Sequence, residues 1–550
     1  MATLAFGPIV STTMAIRATG NRAAGVARRW VTERDSERRL GHPAAVGALT
    51  ALVAVAYCGF ALAQYYTFRT SSFDLVIFDQ AVRSYAHFHP GIAPIFNVFE
   101  GLGPNFSILG NHFSPIDAAL APLYWIHDSP QTLLVAQAVL FALAIPPLWV
   151  FTRRAFGGGP KATVAAYLVS VAYALSWPVA SALAFDFHEV AFVPLLTAVA
   201  LERLQAGRLR TALIALGALL LVKEDTGLFV AGIGAYLLVA RPRTVARQRL
   251  TAVCVIVAGI GATWLATGVL IPAFGGRGNF YWSYQELGSN VPQAVEHVIV
   301  HPISSLQVLM TPRVKLDTML WLFGAFCFLP LLSPIALATV PLLVERMLSS
   351  DRFPLWWTTA YHYNAYLVVV LVCAAVDGAA RLDRWLAAWR KRAASGAQAR
   401  TPGPARGAWP LALGCAVAMC ALALVLVPRF AFGPALHPGF YQRNAKMKAA
   451  AAADAVVPDG VTVDAVDYLG PQLSARDTVL WWVAGGGTAA PWVVADIETP
   501  QFTFKSVTEQ KQHVALLERS GYRVVFGRDG YIVLHRSGSG GSISSKEASG

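Results

Sequence analysis

Charge is what this chain has least of. Asp, Glu, Lys and Arg make up 14% of its 550 residues, where a soluble protein carries about 25%. Hydrophobic residues make up 55%, and the mean hydropathy is +0.50. That balance excludes a soluble globular protein and points to a polytopic membrane protein. Acid is scarcer than base, 31 Asp and Glu against 44 Lys and Arg, which leaves a net charge of +13. Such an excess marks nucleic-acid binding only when the basic side chains share one solvated face. Here they fall in short patches between apolar runs, so no nucleic-acid partner is expected and cytoplasmic retention of positive loops accounts for them. Cysteine is rare as well. All six (Cys58, Cys254, Cys327, Cys373, Cys415, Cys420) lie in apolar runs, which offers neither a disulfide framework nor a paired-cysteine metal site. No cleavable signal is expected, because Met1 to Val10 is apolar but lacks a basic n-region and the residues up to Gly41 are Arg-rich and polar. Residues 1–42 read as a disordered basic cytoplasmic leader.

Apolar runs near the length of a membrane crossing, roughly 17 to 25 residues, are abundant. They fall near Ala44–Tyr66, Gln131–Phe151, Ala162–Leu183, Val190–Leu204, Leu209–Val222 and Thr226–Ala240. Further runs lie near Leu250–Ile271, Leu316–Leu332, Ile335–Leu348, Ala365–Leu382 and Trp409–Val427. The expected fold is therefore mainly α, a bundle of about eleven spans over residues 43–428. Basic clusters fix its orientation: Arg28, Arg29, Arg38 and Arg39; Arg153, Arg154 and Lys161; Arg203, Arg208 and Arg210; Arg241 to Arg249; and Arg384 to Arg392 fall at alternate ends. This places the protein in the plasma membrane with its N-terminus cytoplasmic and its C-terminal part external. The same orientation puts Asp74, Asp79, His112, Asp117, Asp186, His188, Glu189, Glu224, Asp225 and His362 on the external side. A polar, titratable site facing outward is the consequence.

Two of the external loops are long. The first, Thr67 to Pro130, carries a candidate helix Phe78 to His89 and a segment Pro115 to Ile126 that is too short to cross and reads as re-entrant or interfacial. The second, Pro272 to Lys315, carries the aromatic run Asn279 to Tyr284, suited to a membrane interface or to stacking on a sugar. From Arg429 the composition becomes that of a soluble domain. A helix is expected over Phe440 to Val457, strands at Val461 to Val463, Val479 to Val483 and Trp492 to Ile497, and a capped helix from Ser506 to about Gly521. A hairpin follows, Tyr522 to Phe526 with Tyr531 to His535. Residues 429–536 thus read as a small external α/β domain and 537–550 as a disordered tail.

The chain is organised around Phe73-Asp74-Leu75-Val76-Ile77-Phe78-Asp79-Gln80, two carboxylates just past the first span. Ionised groups at a bilayer edge are costly, so these are functional candidates. Asp79 has a plain alternative, an ion pair with Arg83 one helical turn on. Asp74 has no such neighbour and is preferred as the working carboxylate. In Phe185-Asp186-Phe187-His188-Glu189, Asp186, His188 and Glu189 offer oxygen and imidazole ligands to a divalent cation, Mg, Mn or Zn. The plain alternative is ordinary loop structure. Lys223, beside Glu224 and Asp225, reads either as a local ion-pair turn or as a phosphate-binding point charge. His112 and His362 are candidate phosphate or cavity-lining groups, with a purely structural role as the alternative.

The segments Phe73 to Gln80, Asn111 to Pro115, Asp186 to Glu189 and Lys223 to Asp225 resemble those of a family of bacterial predicted membrane proteins. That family is known as a domain of unknown function and grouped with the GT-C glycosyltransferases. The resemblance covers about Phe73 to Asp377 and fades in the C-terminal domain. It implies transfer of a sugar from a polyprenyl-phosphate donor, a membrane lipid, to a cell-envelope acceptor outside the cytoplasm. The catalytic acid then corresponds to Asp74, with Asp79 second. Several GT-C families carry adjacent acids where this chain has Asp74 and Asp79, and aminoarabinose-type transferases carry a lysine where it has His112. On this reading Lys223, Arg277 and Arg313 offset charge on the departing phosphate. Two other readings stay open: a transporter or lipid flippase with an outward polar site, and a non-catalytic protein of envelope assembly.

Overall fold

The computed structural model describes residues 42–240, 246–277, 281–395, 409–485 and 490–537. The leader expected over 1–42 lies outside the described residues save for His42. Arg241 and Arg243, Asn279 and Phe280, and the tail from 538 also lie outside them. The chain falls into two compact units, Met1–Leu52 and Val53–Gly550. Of the first, the described residues are the opening turns of the helix Pro43–Tyr66.

All eleven apolar runs form helical segments, but six of the described helices are long and apolar enough to cross a membrane. They are Pro43–Tyr66, Pro130–Ala155, Gly159–Ala184, Arg249–Ala273, His362–Arg390 and Leu411–Arg429. The other five runs give shorter helices, and the reason lies in what interrupts them. His188 and Glu189 delay the helix Phe192–Gln205, while Lys223, Glu224 and Asp225 separate Leu209–Leu219 from Thr226–Val239. In the run Leu316–Leu332, Cys327 and Phe328 take positive φ and Pro330 follows, so the helix Arg313–Gly324 gives way to a single 3-10 turn at Leu329–Leu332. Such breaks are tolerated where protein, not lipid, surrounds the backbone.

Small residues let two of these helices approach closely. Gly227 faces Gly259 across the pair Thr226–Val239 and Ala246–Leu265, and a Cβ placed on either would overlap the other's carbonyl oxygen. Gly261 on the same helix has open space around it. Gly259→Leu should therefore cost about 1–3 kcal/mol through overpacking and lower the thermal unfolding midpoint in detergent, while Gly261→Leu should leave it in place. Equal melting of the two variants would contradict this packing.

The C-terminal domain is a five-stranded mixed sheet: β1 (Thr462–Ala465), β2 (Thr478–Trp481), β3 (Trp492–Asp496), β4 (Arg523–Arg528) and β5 (Tyr531–His535). Its strand order is β2-β1-β3-β5-β4, with β1 parallel to both β2 and β3, and β5 antiparallel to both β3 and β4. The strands sit within a residue or two of their expected places. The β4–β5 turn puts Asp529 and Gly530 at φ 45° and 85°, the left-handed pair that a tight hairpin requires. Ser506 caps the helix Val507–Arg519 by accepting the Glu509 N–H at 3.2 Å, and the Glu509 carboxylate takes the Lys505 N–H at 2.5 Å. The preceding helix is shorter than expected, Ala445–Asp454, because the Asn444 side chain accepts the Met447 N–H and starts it there.

One feature is absent from any sequence pattern. The first long loop and the C-terminal domain share a single hydrophobic core, in which Phe68, Val76, Ile77, Ala81, Ile95, Phe96 and Ile108 of the loop pack with Ala449, Val463, Val479, Trp481, Val494 and Leu534. Each fully buried Val or Ile stabilises the assembly by about 1.5–3 kcal/mol. Polar bonds add register. The Gln80 amide donates to the Val479 carbonyl of the edge strand β2 at 2.8 Å and accepts the Ile95 N–H at 2.9 Å, so the loop also occupies an otherwise open sheet edge.

Candidate active site

The short helix Leu75–Ala86 starts at Asp74, and the chain enters it through a constrained turn. The Ser72 N–H and hydroxyl both donate to the Asp467 carbonyl at 2.8 Å, and the Phe73 N–H donates to the Asp467 carboxylate at 3.1 Å. Asp467 lies in the loop after β1, so the C-terminal domain holds the turn. Asp74 itself sits at φ 66°, and Asp186 and Tyr361 are also left-handed, at 56° and 63°. Non-glycine residues in this region cost on the order of 1–3 kcal/mol and concentrate where the surrounding structure dictates geometry for function.

Asp74 is half-buried, and its carboxylate makes no hydrogen bond or ion pair among the described residues. Burial, then the charge of Glu189, push its carboxyl up to about 7, against the opposing pull of Lys223 and His112. It is a free carboxylate held near neutrality, close to both acid and base. Asp79 is its opposite. Fully buried at 0% exposure, it accepts two bonds from Arg83 at 2.8 and 3.1 Å, one from the Tyr124 hydroxyl at 2.8 Å and one from the Ser474 hydroxyl. Every lone pair it has is occupied in joining the loop to the C-terminal domain.

Beneath Asp74 lies a buried charge cluster from three more loops. Asp186 accepts the Ser71 N–H at 2.8 Å, and its carbonyl takes the Gln137 amide. Glu189 lies 2.5 Å from His188 Nδ1 and 2.9 Å from Lys223 Nζ. Burial opposes its ionisation, yet His188 and Lys223 together keep it well below the usual carboxylate range. Lys223 in turn stays protonated: burial pulls its pKa down, and Glu189 more than restores it. The His188 and His362 rings stack at 3.5 Å. Glu224 accepts from His112 Nδ1 at 2.7 Å and from the Phe113 N–H at 3.0 Å. The face of His112 stacks on Tyr281 at 4.6 Å, and the Tyr281 hydroxyl donates to Asn111 at 2.8 Å.

Buried polar atoms without a hydrogen-bond partner gather at the same end of the bundle. They include one Asp225 oxygen, both His362 ring nitrogens and the Tyr366 hydroxyl. Each such atom costs about 1–3 kcal/mol, so a polar ligand gains most where they concentrate.

The structure thus brings together Asp74, His112, Asp186, His188, Glu189, Lys223 and His362. Two other candidates stand apart. Arg313 is exposed, 3.6 Å from Asp317 on its own helix, and Arg277 is exposed in the loop after the fourth membrane-length helix. No hydrogen bond or ion pair links either arginine to the cluster among the described residues. The suggested metal ligands do not converge, because the Asp186 carboxylate turns to Ser71 while Glu189 faces His188 and Lys223. Among the described residues no three His, Cys, Asp or Glu side chains are grouped to hold a metal. Sequence reasoning passed over Gln137, Asp467 and Glu345. Gln137 had a signal, a lone amide in an apolar run. Glu345, which accepts from the Tyr284 hydroxyl at 2.5 Å, had one too, a charge in a run read as a span. Asp467 had none.

The backbone is similar to that of ArnT from Cupriavidus metallidurans in the apo state, at 15% identity and a TM-score of 0.46, covering 89% of this chain and 98% of that one. It is also similar to the Archaeoglobus fulgidus oligosaccharyltransferase in the apo form, at 12% identity and a TM-score of 0.38, covering 82% of this chain and 70% of that one. No curated protein matches the sequence. The family model of DUF2079, described as a predicted membrane protein, matches residues 64–533, from the end of the first membrane-length helix to the last strand, and the chain belongs to that family.

Proposed function

We propose that this protein is a membrane glycosyltransferase that moves a sugar from a polyprenyl-phosphate donor to a cell-envelope acceptor at the external face. Asp74 is its general base. The observation that carries the reading is a half-buried carboxylate, without a hydrogen-bond or ion-pair partner among the described residues, whose pKa of about 7 suits it to take a proton at working pH. In the step envisaged, Asp74 accepts the proton of an acceptor hydroxyl and the oxygen attacks the anomeric carbon. The bond from that carbon to the lipid phosphate breaks, and the phosphate leaves with the electron pair. Configuration at the anomeric carbon inverts. Lys223, 2.9 Å from Glu189, supplies positive charge near the developing phosphate, with His112 as a further donor. The resemblance of these loops to a family grouped with the GT-C enzymes supports the same assignment. A lipid-linked donor fits an outward site, since nucleotide sugars stay in the cytoplasm. The test is transfer of labelled sugar from a panel of polyprenyl-phosphate donors in membranes that overexpress the protein. No transfer from any donor, together with Asp74-dependent movement of lipid or solute across liposomes, would replace the enzyme with a transporter.

The orientation rests on the alternation of basic clusters. Reporter fusions after Arg249 and after Arg536 should report opposite sides, cytoplasmic and external respectively. Signals from one side only would invert or abolish the outward site.

A further inference from the structure

Beside Asp74 the surface carries four aromatic rings drawn from two distant parts of the chain. Phe73 and Phe99 belong to the first long loop, Trp481 ends β2 and Phe502 follows β3. Phe73 stacks on Trp481 at 5.5 Å, and Phe99 meets the same indole edge-on at 4.8 Å. Phe502 stands edge-on to Phe73 and to Trp481, each at 5.7 Å. Trp481 is 4% exposed, whereas Phe73, Phe99 and Phe502 are 45%, 40% and 52% exposed. Three phenyl rings are therefore held half in water around a buried indole, although full burial of each would be worth about 1.5–3 kcal/mol. Their placement is not loose. The Trp481 Nε1–H points at the Asp467 carboxylate at 3.4 Å, the same group that takes the Phe73 N–H. One carboxylate thus sets the platform and the turn that presents Asp74.

The rim decides what such a platform would hold. Asp74 follows Phe73 directly, Tyr468 is exposed within charge reach of Asp467 and Asp186, and no cation lies over any of the four rings among the described residues. An anion seated on the rings meets no cation stacked over them. A sugar ring has an apolar C–H face for the phenyl rings and a rim of hydroxyls for carboxylate and phenol oxygens. We propose that Phe73, Phe99 and Phe502 form a docking platform for a neutral sugar ring of the acceptor, which makes the acceptor a glycan and aims its hydroxyl at Asp74. Its role as an acceptor site rests on the transferase reading; the binding itself does not.

The test uses the full chain in lipid nanodiscs and saturation-transfer NMR with four neutral tetrasaccharides, built from glucose, mannose, galactose and arabinose. Ring C–H signals are expected from at least one of them. They should vanish in the Phe99→Ala/Phe502→Ala double variant and persist in Phe99→Tyr/Phe502→Tyr, which keeps the ring faces. Both changes are at exposed positions, so the fold should survive them, as a thermal melt will show. Silence from all four sugars overturns the proposal, as does a signal undiminished in the alanine variant. A response to farnesol in place of the sugars, lost in the same variant, overturns it in favour of a lipid-chain site. Where transfer is measured, the double variant should raise the acceptor KM at least about tenfold with kcat little changed. A chain that binds sugar but transfers none sinks the transferase reading alone, and one that transfers with an unchanged acceptor KM sinks the platform alone.

Discussion

Replacing Asp74 with Asn is expected to reduce sugar transfer by roughly 10²-fold or more, the usual contribution of a general base, and to leave the protein folded. Asn keeps the shape and the Cβ of Asp, so it meets the φ of 66° at this position no differently. The carboxylate has no bond among the described residues for the amide to break. The pH profile gives an independent readout. Only the ionised carboxylate can take a proton, and its ionised fraction grows as pH rises through about 7. The rate of the unmodified protein should therefore climb toward a plateau above about pH 7 and fall about tenfold per unit well below it. The Asn variant should lose that limb. A profile indifferent to the substitution, or an Asn variant as active as the parent, would remove Asp74 from the chemistry.

Glu189→Gln should be the most destabilising single change. It leaves the Lys223 ammonium buried, 2.9 Å from an uncharged amide where Glu189 stood. Breaking a buried pair from one side costs about 3–5 kcal/mol, whereas removing both charges is often close to neutral. Thermal melts in detergent should show a large loss for Glu189→Gln and substantial recovery in Glu189→Gln/Lys223→Met. If the single variant melts with the parent, Lys223 is not a desolvated charge and its part in holding phosphate loses its physical basis.

Some of this architecture was legible in the sequence, and some was not, for identifiable reasons. Hydropathy is a local property, so the membrane-length helices and the strands of the C-terminal sheet could be read within a few residues. The helix Arg313–Gly324 could not be measured the same way, because the apolar composition of its run continues past the break at Cys327–Pro330. Positive φ at Asp74, Asp186 and Tyr361 carries no sequence mark. Charge alternation sorted His188 and His362 to one side, but not into a stack at 3.5 Å. Least legible of all was Asp467, an ordinary loop acid that becomes the clamp on the Asp74 turn only because two remote segments pack together.

That shared core also sets a timetable for the chain's synthesis. Asp79 and Ser474, bonded across it, lie 395 residues apart. At about 5–20 residues per second, roughly 20–80 s separate the emergence of the first long loop from that of the strands that cover it. For that interval Val76, Ile77, Ile95 and Phe96 have no partner from the C-terminal domain, and every later membrane helix must be placed before one arrives. The turn that carries Asp74 is consequently finished last. A molecule stalled before its final strands would carry its membrane helices without a completed site, so the cell would meet half-made copies as exposed apolar loops awaiting a chaperone or a protease.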